Sequence, residues 1–151
     1  MDYLEIKVVD YTVEKSAIQS IRHQVFEVEQ GVAHELEFDG QDDTAQHLLA
    51  YWENQPIGTT RIRYLSPQTV KIERLAVLQE FRGKGIGIKL MKATLEVIHN
   101  KGIPEVIVHA QEYVKNLYLK LGFEIIGERF YEANIPHFKM MYVNAQASQL
   151  S

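Results

Sequence analysis

The stretch Arg82-Gly83-Lys84-Gly85-Ile86-Gly87 constrains this chain more than any other. An apolar run from Ile72 to Leu78 precedes it and has the character of a buried strand. A helix-periodic segment follows it and ends near Asn100. Strand, glycine turn and helix start in direct succession make a site for an anion. The N–H groups at a helix N-terminus lack intrahelical partners, and the dipole there is positive. Glycine permits φ > 0 and lets backbone come close to a ligand. Arg82 and Lys84 add two cations beside those donors. The expected ligand is a phosphate or pyrophosphate.

Two common phosphate motifs do not fit. A P-loop ends in Gly-Lys-Ser/Thr, whereas Lys84 is followed by Gly85. The dinucleotide fingerprint G-x-G-x-x-G is met by Gly85 and Gly87, but Leu90 stands at its third glycine. The pattern present is R-x-x-G-x-G, from Arg82 to Gly87. It resembles the acyl-CoA pyrophosphate loop of the GNAT N-acetyltransferase superfamily. Glu73-Arg74-Leu75-Ala76-Val77 is similar to that family's central strand, and Tyr118-Leu119-Lys120-Leu121-Gly122-Phe123 to its Tyr-x-x-x-Gly-Phe segment. The resemblance covers the chain from about Tyr3 to Val143. Val25-Phe26-Glu27-Val28-Glu29-Gln30, Ala45-Gln46-His47-Leu48-Leu49 and Ile135-Pro136-His137 are similar to the ElaA/YjcF-like branch of bacterial GNAT proteins. The fold this implies is a mixed α/β (α+β), mostly antiparallel sheet of about seven strands. About four helices flank it, and it is splayed at the cofactor-binding centre.

Length and composition bound the rest. A chain of 151 residues is most simply one domain. The net charge of -4 argues against a nucleic-acid partner. No run is long enough to span a membrane, and Met1-Asp2-Tyr3-Leu4-Glu5 is unlike a signal peptide, so a cytoplasmic location is expected. Cysteine is absent, which excludes a disulfide scaffold, a thiolate metal site and a cysteine acyl-enzyme. An acyltransferase built this way would use direct attack by the acceptor. No His/Asp/Glu group has metal-ligand spacing, and the acidic stretch lacks the spaced ligands of an EF-hand.

The pattern along the chain predicts mixed α/β elements. Tyr3–Val9 is a strand. Thr12 caps a helix from Val13 to about Glu29, with Ala17, Ile18, Ile21, Val25 and Val28 at helical spacing, stopped by Gln30-Gly31. Residues from Glu35 to Asp43 form an acidic loop, read first as a solvated loop and second as a device that steers a cationic amine. Strands follow at Gln46–Glu53, Ile57–Leu65 and Val70–Leu78, with a turn at Asn54-Gln55-Pro56. Leu90, Met91, Leu95 and Ile98 form the inner stripe of the long helix. Glu105–His109 is a short strand, Tyr113–Leu121 a helix stopped by Gly122, and Phe123–Tyr131 and His137–Val143 the last strands. Asn144–Ser151 is a polar tail. Phe130 and Tyr131 are apolar residues that would serve a homodimer or line the acceptor cleft.

Acyl transfer from a thioester to an amine needs a held donor, a neutral amine, an oxyanion site and a proton for the thiolate. The backbone of Arg82, Gly83, Lys84, Gly85, Ile86 and Gly87 is the candidate holder of acetyl-CoA. The resemblance adds the strand Leu75, Ala76 and Val77, whose backbone would pair with the pantetheine arm and offer an N–H to the oxyanion. It also implies Tyr118 as the general acid, the bland alternative being a phenol that only packs. The family's asparagine upstream of that tyrosine is replaced by Gln111, which keeps an amide for the cofactor. Glu73 interrupts an apolar strand and is either a general base or the partner of a neighbouring arginine. His137, His47 and His109 are further base candidates, since imidazole titrates near neutrality. The leading expectation is an N-acetyltransferase with a primary amine as acceptor. The alternative is a non-catalytic acyl-CoA sensor or interaction module.

Overall fold

The computed structural model describes residues 3–143, so the polar tail predicted for 144–151 lies outside the described residues. Strand β1 (Leu4–Val9) leads into α1 (Tyr11–Arg22), which continues as a π-helical segment (His23–Glu29). A short α2 (His34–Glu37) precedes three strands, β2 (Gln46–Trp52), β3 (Gln55–Ser66) and β4 (Thr69–Val77). A 3-10 turn (Gln79–Phe81) leads to α3 (Ile86–Asn100) and then β5 (Glu105–Gln111). A second 3-10 turn (Glu112–Val114) leads to α4 (Lys115–Lys120), β6 (Glu124–Ile125), β7 (Phe130–Glu132) and β8 (Ile135–Val143).

These strands form one eight-stranded sheet in the order β1-β2-β3-β4-β5-β8-β6, with β7 also paired to β8. Each pairing is antiparallel except β4 with β5, which is parallel. The sheet is thus mixed and mostly antiparallel, with eight strands where about seven are expected from the pattern. Its splay is plain in the register. The parallel pairs run only from Thr69↔Glu105 to Ile72↔Val108, although β4 continues to Val77 and β5 to Gln111. Beyond Ile72 the two strands part and leave a gap between them.

Alternation along the strands divides the core in two. Ile62, Val70, Ile72, Val106 and Val108 meet Leu90, Met91 and Ile98 of α3 on one face. On the other face, Ile18, Ile21 and Val25 pack against Leu49 and Ala76. That second layer covers only part of the sheet. The uncovered remainder carries the polar side chains described below. In α3, Thr94 is fully buried within the inner stripe and Leu95 is half-buried.

Several local expectations need correction. Asp10, not Thr12, caps the first helix, its Oδ1 accepting from Thr12 N–H (2.9 Å). The α-helical part ends at Arg22, and the π turns that follow rotate Val28 out to solvent. Gly31, at φ 69°, does end the segment. The tight turn after β2 lies at Glu53-Asn54, both at positive φ, so β3 already begins at Gln55. The helix expected over 113–121 is a 3-10 turn followed by the short α4, and Gly122 at φ 98° stops it. The strand expected from Phe123 to Tyr131 is broken around Gly127 at φ 90° into β6 and β7. The acidic segment is not a solvated loop, because Glu37 and Asp42 are buried.

Candidate active site

The start of α3 is built for an anion by backbone alone. Gly83 and Gly85 sit at φ 80° and 75°, the left-handed region that a side chain disfavours. Gly85 is the N-cap, and the first intrahelical bond runs from Lys89 N–H to Gly85 O (3.2 Å). The N–H groups of Ile86, Gly87 and Ile88 therefore precede the hydrogen-bonded ladder. The two cations of the motif face elsewhere. Arg82 is clamped by Glu29, Nη1 and Nη2 each donating at 2.8 Å, while its Nε donates to Val77 O at 2.9 Å. The Lys84 ammonium stands over the Trp52 ring, 5.5 Å from its centroid.

The wall beside this helix start is β4, which carries a bulge. Arg61 pairs with Glu73 and Thr59 with Ala76, so Arg74 and Leu75 together oppose a single residue. Arg74 takes the left-handed conformation at φ 59°. The bulge reverses the alternation, so Leu75 and Val77 pack toward α3 while Ala76 joins the α1 side. Leu78 N–H donates to Ile57 O on β3 (2.9 Å). By alternation, the backbone groups of Leu75 and Val77 turn the other way, into the gap beside β5.

Across the gap stand Tyr118 and Gln111. Tyr118 is buried and packs edge-on against Phe123 at 5.5 Å. Burial pushes its phenol well above the usual value, so it stays protonated at neutral pH. Among the described residues nothing hydrogen-bonds its hydroxyl. Gln111 forms a reciprocal amide pair with Gln30 at the end of the π-helical segment, with bonds of 3.1 and 2.9 Å. Gln30 also donates to the Tyr113 hydroxyl at 3.1 Å. This bridge ties the α1 side to β5 across the cleft, and the sequence pattern gives no hint of it.

The other half of the cleft is lined by Glu37, Asp39, Arg63, Lys71, Glu73 and Arg74, which belong to an ion network that continues into the protein behind it. Arg22 is fully buried, donating from Nη2 to Glu37 Oε2 and from Nη1 to Asp42 Oδ1, both at 2.6 Å. Arg61, equally buried, holds Asp39 (2.8 Å), Asp42 (3.0 Å) and Glu73 (2.8 Å). Arg74 reaches from the bulge to Glu37 (2.9 Å) and Asp39 (3.2 Å). Glu73 also takes Arg63 (2.9 Å) and Lys71 (3.2 Å). Burial alone would raise the Glu73 carboxyl, but Arg61, Lys71 and Arg63 bring it below its ordinary value. Asp39 and Asp42 are depressed in the same way, against their burial, by Arg61 and by Arg22 respectively.

His137 lies in the cleft and His47 does not. His137 Nδ1–H donates to Ile135 O at 2.7 Å, which leaves the Nε2 lone pair available. Its Nε2 is 3.9 Å from Glu132 Oε2, and His109 Nδ1 is 2.8 Å from Glu132 Oε1. The Phe130 ring stacks on His137 (5.7 Å) and meets His109 edge-on (5.1 Å), so it belongs to this wall. Tyr131 stays exposed. His47 is buried under α1, its Nε2–H on Asp42 O (2.9 Å) and its ring stacked on Tyr11.

One cleft of about 780 Å3 joins both halves, lined among others by Leu75, Val77, Gly85, Gly87, Gln111, Tyr118, Glu73 and His137. Residues 8–143 match the family model of the acetyltransferase (GNAT) domain. The chain belongs to the GNAT acetyltransferase family. Among GNAT relatives, YjcF of Bacillus subtilis (strain 168), described as an uncharacterized N-acetyltransferase, is 34% identical over 122 residues. That match covers 80% of this chain and 86% of YjcF. The crystal structure of Escherichia coli ElaA superposes with a TM-score of 0.82 at 28% identity, covering 91% of this chain and 98% of that one. A GNAT acetyltransferase from Elizabethkingia anophelis with acetyl-CoA bound shares the fold at a TM-score of 0.71 and 21% identity, covering 95% and 97%. The cleft here presents helix-start N–H groups that precede the helical ladder, beside a stretch of β4 that has parted from β5. No described helix is long and apolar enough to cross a membrane.

Proposed function

We propose that the protein is an acyl-CoA-dependent N-acetyltransferase that moves an acetyl group from acetyl-CoA to a primary amine by direct attack. One observation carries the reading. The open backbone of β4, the glycine-flanked start of α3 and the unbonded hydroxyl of Tyr118 all line the same cleft.

In this reading the N–H groups from Gly83 to Gly87 hold the pyrophosphate, with Arg82 and Lys84 shaping the loop around them. The backbone of Leu75 and Val77, on either side of Ala76, pairs with the pantetheine arm, and the amide of Gln111 leaves Gln30 for it. Leu75 and Val77 N–H groups face the gap where the carbonyl oxygen would gain charge. The amine lone pair attacks the thioester carbon, the C–S bond breaks, and one CoA thiol is released per amide formed. His137 Nε2 takes the surplus proton of the amine, with Glu132 beside it to stabilise the imidazolium. Tyr118 gives its proton to the departing thiolate. Glu73, held by three cations, is a poor base and serves as their anchor.

The test pairs turnover with binding. Tyr118→Phe should lower the CoA-release rate by about 10²- to 10⁴-fold, with the affinity for acetyl-CoA unchanged by calorimetry. Unchanged turnover removes Tyr118 from the mechanism. Tight acetyl-CoA binding without CoA release from any amine in a broad panel would leave the sensor reading standing instead.

A further inference from the structure

The ion network has a surplus that points at the acceptor. Arg22, Arg61, Arg63, Lys71 and Arg74 are five cations, and Glu37, Asp39, Asp42 and Glu73 are the four carboxylates they share. The excess positive charge is not spread evenly. Arg22, Arg61 and Arg74 each hold at least two carboxylates. Arg63 and Lys71 touch only Glu73, which Arg61 also occupies, so one carboxylate serves three cations. Both side chains line the cleft, Arg63 being 29% and Lys71 15% exposed.

An opposite pole stands nearby on the same face. Lys71 pairs with Ile107 on β5, and His109 follows two residues on, next to β8. Ideal strand spacings put the Lys71 and His109 Cα atoms roughly 8 Å apart. His109 binds Glu132, whose side chain is half exposed in the cleft, and His137 lies on the other side of that carboxylate. The hydrogen bond from His109 is the main reason the Glu132 carboxyl lies below its ordinary value, and the charge of Lys71 contributes. The acceptor half thus has a positive end at Arg63 and Lys71 and a negative end at Glu132.

We propose that the acceptor is a small amine that also carries a carboxylate, with the carboxylate on Arg63 and Lys71 and the amine at Glu132 and His137. This rests on the acetyltransferase reading and narrows its substrate. A zwitterion matches both poles, and its ammonium arrives where His137 can remove the proton. A simple cationic amine matches only one pole and meets the surplus charge at the other. The acidic segment does not change this, since Glu37, Asp39 and Asp42 are each already engaged by arginine.

The experiment compares matched pairs of acceptors with acetyl-CoA as donor, each amino acid against its decarboxylated twin: phenylalanine with phenethylamine, histidine with histamine, lysine with cadaverine. Wild type should favour the acid in at least one pair by tenfold or more in kcat/KM. Lys71→Met and Arg63→Met should each cut that acid-to-twin ratio at least tenfold, mostly through KM, with unchanged melting temperatures. Twins that outpace their acids in every pair, or ratios unmoved in both folded variants, would overturn the proposal. If acetyl-CoA binds and no amine reacts, the transferase reading has failed. The carboxylate site is then judged by calorimetric titration of acids and twins into the CoA-saturated protein. Acid-selective binding lost in Lys71→Met supports the site, and equal or absent binding ends it.

Discussion

The two halves of the cleft are made of different material. The donor half is backbone: two glycines at positive φ, a helix start and a strand stripped of its partner. The acceptor half is side chain: Glu37, Asp39, Arg63, Lys71, Glu73, Arg74 and Glu132 line it, with Arg22, Arg61 and Asp42 buried behind them. The first needs only local sequence, because six consecutive residues fix their own geometry. The second needs the whole fold, because Arg22 meets Asp42 across 20 positions and Arg74 meets Glu37 across 37. A change in one half should therefore leave the other half largely intact, and the two should fail differently.

The largest expected effect lies in the ionic half. Arg22→Met removes a buried guanidinium that donates to Glu37, to its backbone carbonyl and to Asp42. Two buried carboxylates lose their main partner, and breaking a buried pair from one side costs about 3–5 kcal/mol. Urea unfolding at pH 7.5 checks this, and a loss under about 1 kcal/mol would mean that water or Arg61 and Arg74 replace the missing charge. Gly85→Asp is the matching break in the donor half. A Cβ there meets no atom within 4 Å, and the left-handed φ of 75° strains aspartate by about 1 kcal/mol, less than most residues, so the fold should hold with a slightly lower melting temperature. The negative charge stands where the pyrophosphate is proposed to lie. Acetyl-CoA affinity should fall at least about 100-fold, or about 2.7 kcal/mol, by calorimetry. An unchanged affinity would remove this loop from the donor site.

The same contrast governs what the sequence made legible. The loop from Arg82 to Gly87 announces itself, as do the strand before it and the helix after it, since contiguous residues carry the signal. Tyr118 and Gln111 follow by spacing from the family pattern. The ionic half is hidden by composition. Glu35, Glu37, Asp39, Asp42 and Asp43 look like a solvated loop because nothing local shows that Arg22, Arg61 and Arg74 converge on it. One clue was available: Arg61 and Arg63 recur at period two in an apolar strand, the same alternation that sets Glu73 apart in the next. The π turns after Arg22 were invisible, because apolar spacing continues through Val25 while the helix phase changes beneath it. Register is likewise absent from a single strand, so neither the bulge at Arg74 nor the Gln30–Gln111 bridge could be read ahead of the fold.

Acid should separate the halves by an intermediate amount. Burial holds His47 below its ordinary value, and the arginines hold Asp39, Asp42 and Glu73 below theirs. For all four the folded state binds protons less readily than the unfolded chain, so stability falls as pH falls. Loss should begin below about 6.5, from His47, and steepen below about 4, from the carboxylates. Each such group removes up to about 1.4 kcal/mol per pH unit inside its window. Urea midpoints from pH 8 to pH 4 check the sign, and a flat profile down to pH 5 would mean that His47 is not kept neutral. The helix-start loop offers no carboxylate of its own to titrate, so the acid-sensitive elements are the ion network of the acceptor side and His47 buried behind it.

The smallest effect lies where the halves meet. Arg74 is the bulge residue at φ 59°, and its guanidinium reaches Glu37, Asp39 and the Leu36 and Glu37 carbonyls. Removing that side chain orphans neither carboxylate, since Arg22 keeps Glu37 and Arg61 keeps Asp39. What remains is the backbone. Alanine pays the left-handed penalty of about 1–2 kcal/mol that glycine avoids, while glycine gives some back through unfolded-state entropy. Arg74→Gly should therefore be more stable than Arg74→Ala by about 1 kcal/mol, the reverse of their order in an ordinary strand. If alanine is the more stable, the bulge relaxes once the guanidinium is gone, and the arginine is what holds it. In that case the ionic half sets the direction of the Leu75 N–H, and the donor half is not self-sufficient after all.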